Sequence, residues 1–289
     1  LRMGRLGYQS DAQATLAAPT DDVSATATPL QPLDAEAARL VVFTSGSTGE
    51  PVAIEKRLRQ LDAEVHALEA ALGPGLEGAT VHGTVSHQHT YGLLFRVLWP
   101  LSAGRAIVPR AFLPEDRLAA MDGQDAVLVA SPAHLKRLPA QLDWASLHGR
   151  LRAVFSSGGV LPAEAAHEVS RLLGVSPTEI LGSSETGGIA WRQRTHDDDD
   201  AWQPLPGVEW RVPDGLLDVR SPNLPSNEWW ATSDRAHDAG DGRFELLGRA
   251  AFPPIGELPY LLTLKGYGTY SFRLATDVEV PFWHADYFL

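Results

Sequence analysis

From residue 79 to residue 181, short apolar runs alternate with helical stretches, and that order constrains the fold more than any other feature. Residues 79–86, 105–108, 126–130, 152–156 and 178–181 read as strands. A helical stretch opens near Ser131-Pro132, and another covers 161–173, with Pro162 near its start and Gly174 as its stop. Strands alternating with helices form right-handed βαβ units and a largely parallel sheet. After Trp202 the pattern changes. Short alternating runs at 208–212, 216–219 and 244–247, separated by Pro, Gly and Asn, predict a small antiparallel region. The expected fold class is therefore α/β: layered, mostly parallel sheets with flanking helices plus a small antiparallel β region.

Upstream, Leu40-Val41-Val42-Phe43 reads as a buried strand and runs straight into TSGSTGEP at 44–51. Beyond it Leu58, Leu61, Val65, Leu68 and Leu72 fall at spacings of three and four, which predicts a helix that Gly73 can end. A Gly-rich turn with several hydroxyls lets backbone N–H groups close on an anion, and a following helix N-terminus adds partial positive charge. The motif lacks the Gly-Lys-[Ser/Thr] of a Walker A loop, which disfavours an ordinary P-loop phosphotransferase. Alone, such a turn is more often only a turn.

Three further motifs follow in order. LGSSETGG at 181–188 ends a predicted strand, where open α/β sheets bind ligands. Its Glu185 is an oxygen ligand suited to Mg²⁺, and Ser184 can donate to a phosphate. ATSDR at 231–235 offers Asp234, which, held in a turn, can accept hydrogen bonds from a ribose diol. LGR at 247–249 is weaker still. In isolation LGSSETGG reads more readily as a polar loop with a solvated Glu, and the other two motifs are weak.

Composition removes several function classes. The net charge is −12, against a nucleic-acid or anionic-membrane binder. There are no cysteines, so no disulfide, thiolate zinc site or cysteine nucleophile exists. No apolar run approaches membrane-spanning length and no export signal opens the chain, which predicts a soluble, cytoplasmic protein. Any catalytic lysine must be Lys56, Lys136 or Lys265. The acidic run ending at Asp200, with His196, reads as a solvated loop.

Taken in order, the motifs resemble the ANL superfamily of adenylate-forming enzymes: acyl-CoA and aryl-CoA synthetases, peptide-synthetase adenylation domains and luciferases. The resemblance runs from about Val41 to Arg249. It rests on TSGSTGEP, the His-x-x-Gly at His89 to Gly92, Gly158-Gly159, GSSETG, TSDR and GR. Within the superfamily the chain also resembles the acyl-CoA synthetase-like ligases of bacterial aryl-polyene and xanthomonadin pigment clusters. The resemblance implies that Thr44, Ser45, Gly46, Ser47, Thr48 and Gly49 cradle the β- and γ-phosphates of ATP. It implies His89 at the acid pocket, Gly158 and Gly159 along the adenine and acyl pocket, and Ser184 at the α-phosphate. Glu185 would hold Mg²⁺, Asp234 the ribose hydroxyls, and Arg249 would mark a hinge.

The expected organisation is a linker or subdomain remnant at 1–39, a nucleotide-binding domain at 40–249, and an unassigned segment or small-domain remnant at 250–289. The expected activity converts a carboxylic acid and ATP to an acyl-adenylate, then to a thioester with CoA or an acyl carrier protein. The pattern departs from the family in three places. Pro51 is followed by Val52 rather than lysine; Lys56, one turn further on, is a candidate to compensate but reads more readily as a solvated helix residue. Only 43 residues precede the phosphate loop. After Arg249 the family's hinge, small domain and Gly-Lys motif are not found; Lys265-Gly266 does not match. The expectation is a truncated chain, and the rival reading is an incomplete nucleotide-binding module with a regulatory or scaffold role.

Overall fold

The computed structural model describes residues 33–45, 51–109, 114–121, 123–194 and 200–247, which from Asp34 onward belong to one compact unit. β1 (Arg39–Ser45) and β2 (Pro51–Arg57) pair antiparallel, with Ser45 opposite Pro51. The element after the Gly-rich motif is thus a strand, and α1 (Leu58–Leu72) begins only beyond it. This corrects the expected strand-to-helix arrangement around the motif. β2 escapes a hydropathy reading because one of its two inward residues is charged: Ile54 is half-buried and Lys56 is 2% exposed.

α1 buries Leu61, Val65 and Leu68 at helical spacing, and with them the polar Gln60 and Glu64. Next comes β3 (Thr80–Gly83), then α2 (Thr90–Leu93), which runs through a π-helical turn at Leu94–Leu98 into α3 (Trp99–Ser102). Pro100 has no N–H to offer the carbonyl four residues back, and the Trp99 N–H reaches Leu94 instead. The remaining elements of this part are α4 (Pro114–Met121), β4 (Ala126–Ala130), α5 (Pro132–Leu135), β5 (Leu151–Ser156), α6 (Ala163–Leu173), β6 (Thr178–Ser183), β7 (Gly187–Gln193) and β8 (Gln203–Pro204). α5 is a single turn rather than the expected helix, since Pro139 cannot continue it. α6 ends as expected, with Gly174 left-handed at φ 71°.

β3 to β8 form one sheet in sequence order; β3 to β6 are parallel, and β7 and β8 turn antiparallel. The expected strand at 105–108 shrinks to one parallel bridge, Ile107 to Val81, on the outer side of β3. The chain therefore leaves β3 to one side and returns to β4 on the other. The carboxyl ends of β3 and β4 flank this switch point, where α/β sheets open a crevice.

Both faces of the sheet are covered. Val127, Val129, Ala153 and Phe155 pack on one side with Leu61, Leu68, Phe95 and Trp99. Leu128, Ala130 and Val154 pack on the other with Trp144, Leu161, Val169 and Leu173. All five residues of β4 are buried, as a central parallel strand requires. Phe95 meets Trp99 and Phe155 edge-on, each at 5.3 Å between centroids.

A second sheet holds β9 (Glu209–Arg211), β10 (Leu216–Arg220), β11 (Trp230–Gly240) and β12 (Arg243–Leu247), all antiparallel, in the order β12-β11-β10-β9. Its core joins Leu217, Val219, Ala236 and Phe244 to Ile189 and Ala190 of β7 and to Trp202. The two sheets thus share one apolar seam, and the expected fold class is the observed one.

Candidate functional site

The loop between β6 and β7 is braced by its own side chains. Ser183 N–H donates to Thr186 Oγ1 and Thr186 N–H donates to Ser183 Oγ, both at 3.1 Å. Thr186 Oγ1 in turn donates to the Gly187 carbonyl at 2.9 Å. Gly187 sits at φ 71°, and a Cβ there would come within 2.7 Å of the Glu64 carboxylate, so no other residue fits without displacement. Thr186 is buried by this bracing, while Ser184 and Glu185 remain half-buried at the open end of β6.

That loop forms one wall of a cavity of about 320 Å³. Leu181, Gly182, Ser183, Glu185, Thr186 and Ile189 line one part; Trp230, Ala231, Thr232, Ser233 and Asp234 line the rest. Two motifs separated by some fifty residues therefore meet. Asp234 is not in a turn, as the sequence suggested, but inside β11, at an irregularity. Leu216 opposes Arg235 and Asp218 opposes Ala231, so two steps on β10 face four on β11. Thr232 Oγ1 donates to the Leu217 carbonyl at 2.7 Å and accepts from Asp234 N–H at 3.2 Å, which fixes the bulged segment. The bulge turns this stretch toward the loop. A short Thr-Ser-Asp run carries no apolar alternation, which is why the strand was illegible.

Behind the loop lies a polar cluster that the sequence reading missed. Lys56, expected to be a solvated helix residue, is instead buried in β2. Its Nζ donates to the Glu185 carbonyl at 2.6 Å and to the Asn223 carbonyl at 3.2 Å. Glu64 Oε1 accepts from Gly188 N–H at 2.6 Å. Gln60 Nε2 donates to the Asn223 carbonyl at 2.7 Å, and Asn223 Nδ2 donates to the Gly188 carbonyl at 3.1 Å. Burial lowers the Lys56 ammonium from its ordinary pKa, a shift opposed by the carboxylates of Glu64 and Glu185. Burial raises Glu64 to about 7, opposed by the Gly188 N–H and by Lys56. One signal was available: Glu64 falls inside the apolar stripe of Leu61, Val65 and Leu68, where a carboxylate needs a reason.

His89 is exposed and stands immediately before α2, with no side-chain hydrogen bond to the helix start. Its neighbour Thr90 is buried and donates to Ser184 Oγ at 3.0 Å, which ties α2 to the β6–β7 loop. Nearby, Tyr91 OH donates to the Ala130 carbonyl at 3.1 Å across the switch point. Gly158 and Gly159 lie exposed beyond the carboxyl end of β5 and are not in the cavity lining. Thr44 and Ser45 end β1. Gly46, Ser47, Thr48, Gly49, Arg249 and Lys265 lie outside the described residues, as does the acidic run up to residue 199. Asp200 is described, and its carboxylate pairs with Arg192 at 3.2 Å and Arg194 at 2.7 Å. Both arginines also reach buried Glu179, at 3.2 and 2.8 Å. That residue of the run therefore closes an ion-pair network rather than standing in solvent alone.

Among the described residues, no three or more His, Asp or Glu side chains are grouped to hold a metal. None of the described helices is long and apolar enough to cross a membrane.

The chain is 32% identical to the 4-coumarate–CoA ligase of Rhodobacter capsulatus over 222 residues, 74% of this chain and 52% of that protein. A solved malonyl-CoA ligase, a ternary product complex with methylmalonyl-CoA and AMP bound, superposes with a TM-score of 0.62 at 26% identity, over 73% of this chain and 53% of that one. A short stretch, 35 residues or 12% of the chain, is 67% identical to a trehalose synthase of a Pimelobacter species and covers 6% of it. The chain spans about half the length of the coumarate ligase it matches. The family model for "AMP-binding enzyme" matches residues 4–224. With the motif order, the meeting of two of those motifs at one cavity and this match over most of its length, the chain belongs to the AMP-binding enzyme family, in the ANL superfamily of adenylate-forming enzymes.

Proposed function

We propose that the protein activates a carboxylic acid with ATP, forming an acyl-adenylate and pyrophosphate, and passes the acyl group to the thiol of CoA. The observation that carries this reading is the cavity across which Glu185 and Asp234 line opposite elements. Asp234 would accept hydrogen bonds from both ribose hydroxyls. Ser184 would donate to the α-phosphate, and residues 44–49 would cradle the β- and γ-phosphates. His89, next to Thr90 at the start of α2, would sit at the acid pocket. Gly158 and Gly159 would leave room for the adenine and acyl groups, and Arg249 would serve as the hinge. An acyl carrier protein is a second acceptor of the same thiol chemistry. By the same reading residues 40–249 are the nucleotide-binding domain, flanked by 1–39 and 250–289.

The donor set fits magnesium. A single half-buried carboxylate suits an ion that takes one or two protein oxygens and completes its shell with phosphate and water. When bound, Mg²⁺ supplies charge neutralisation to the phosphates as the acid's carboxylate approaches. The chain's own contribution is positional: Thr90 holds Ser184, the Ser183–Thr186 bracing holds Glu185, and the bulge holds Asp234. The coumarate ligase's name makes an aromatic acid the first substrate to try.

Calorimetric titration with AMP and with ATP, each with and without Mg²⁺, tests the reading. Both nucleotides should bind, ATP more tightly with the metal. Glu185→Ala should abolish the magnesium effect and spare AMP, whereas Asp234→Ala should weaken AMP by about 1.5–3 kcal/mol, the worth of a charge-assisted hydrogen bond. A wild-type chain that binds neither nucleotide would remove the proposal.

A further inference from the structure

The loop that carries Ser184 and Glu185 is gripped from behind by side chains that do not touch the cavity. Lys56 from β2 holds the Glu185 carbonyl. Glu64 from α1 holds the Gly188 N–H, and Asn223, from the segment after β10, holds the Gly188 carbonyl. Lys56 and Gln60 both donate to the Asn223 carbonyl, so the three segments are fastened to one another as well as to the loop. Lys56, Gln60 and Glu64 are each 2% exposed and Asn223 is 3% exposed.

A buried ammonium and a buried carboxylate are costly to keep, and apolar residues of similar size commonly stabilise a core as well or better. Stability alone therefore does not account for them. What they do supply is direction. Nζ of Lys56 sits on the main chain of Glu185, so it sets where the Glu185 carboxylate points. Glu64 fixes the loop's far end at Gly188, beyond the left-handed Gly187. We infer that Lys56 and Glu64 are positioning residues, which hold the 185–188 stretch of the loop in the geometry in which Glu185 engages the metal of MgATP, while Ser184 keeps its separate hold from Thr90. The inference rests on the nucleotide reading above. It adds that magnesium-dependent binding is controlled from β2 and α1, outside the cavity.

Three variants of the full chain test it: Lys56→Met, Glu64→Gln, and the two combined. Melting temperature, AMP affinity and MgATP affinity are measured for each. Each single variant leaves one charge buried without its counterpart, so each should melt lower than wild type. The double variant is neutral, and its melting temperature should recover. Its AMP affinity should stay within about threefold of wild type, while its MgATP affinity falls about tenfold or more, the equivalent of one charge-assisted hydrogen bond. Restored melting without restored MgATP binding is what a purely structural pair would not give. A recovered double variant that binds MgATP as tightly as wild type overturns the positioning role and leaves the nucleotide reading intact. Equal losses for AMP and MgATP overturn it too, because the defect would then not lie with the metal. Failure of the wild type to bind either nucleotide overturns both.

Discussion

At the scale of single residues, the charges that matter are those removed from water. Glu64 is buried and raised from 4.5 to about 7. The folded chain thus holds the Glu64 proton more tightly than the unfolded chain does. This contribution to stability is fully present below about pH 4.5 and is lost as pH rises through about 7. Lys56 acts on the other side: its lowered pKa means that the folded state favours the neutral amine, and stability from this group grows as pH rises toward 10.5. Chemical denaturation of wild type and Glu64→Gln at a series of pH values isolates the acid limb. Wild type should lose stability relative to the variant between about pH 4.5 and 7, and parallel curves would contradict the assignment. Glu69 behaves oppositely: the guanidinium of Arg105 beside it, with further help from the indole of Trp99, holds its carboxyl below the ordinary value. It is partly solvated, and its service is to satisfy the buried Arg105 rather than to stabilise by itself.

At the scale of elements, α6 shows what a sequence states openly. Pro162 and Gly174 bracket it, Val169 and Leu173 lie on its buried side, and Gly174 takes the left-handed conformation that its position demands. Gly174→Ala puts a Cβ at φ 71° and within 2.8 Å of the His148 ring. The variant should lose about 1 kcal/mol or more by thermal unfolding; an unchanged melting temperature would mean that the helix end relaxes freely. β4 was equally legible, because a central parallel strand is a continuous apolar run bounded by polar residues, and β5 and β6 showed through their shorter apolar stretches at 153–155 and 180–181. β2 and β11 were not. β2 carries Lys56 inward, and β11 contains Thr232, Ser233 and Asp234 across a bulge, so neither shows the alternation by which strands are recognised. Both lie at the candidate site. The residues that built the site broke the pattern, while the motif letters Ser184, Glu185 and Asp234 remained readable. Their support from Lys56, Glu64, Thr90 and Asn223 depends on approach in space between distant segments, and no spacing records it.

At the scale of the whole molecule, the cavity is a product of two sheets. Its loop belongs to the mixed sheet, its other wall to the antiparallel one, and Phe244 packs in the seam with Ile189, Leu217 and Val219. Phe244 is fully buried and meets the Trp210 ring at a tilt, 5.2 Å between centroids. Phe244→Ala should cost about 3–5 kcal/mol, as a large-to-small change in a core does. Nucleotide affinity should fall with it even where the chain stays folded, since Asp234 rides on the same sheet. Circular dichroism alongside AMP titration checks both; a folded variant with full AMP affinity would show that the wall holds its place without this seam.

The grip on that loop has one more consequence. Its contacts from Lys56, Glu64 and Asn223 all end on main-chain atoms: the Glu185 carbonyl, the Gly188 N–H and the Gly188 carbonyl. Main-chain atoms are the same whatever amino acid carries them. These three contacts are therefore indifferent to the side chain at 185, and strict about Gly182 and Gly187, where a Cβ would come within 2.4 Å of the Gly187 carbonyl and 2.7 Å of the Glu64 carboxylate. A chain built this way can trade the chemistry it displays toward the cavity, by mutation or by design, without renegotiating the backbone that displays it.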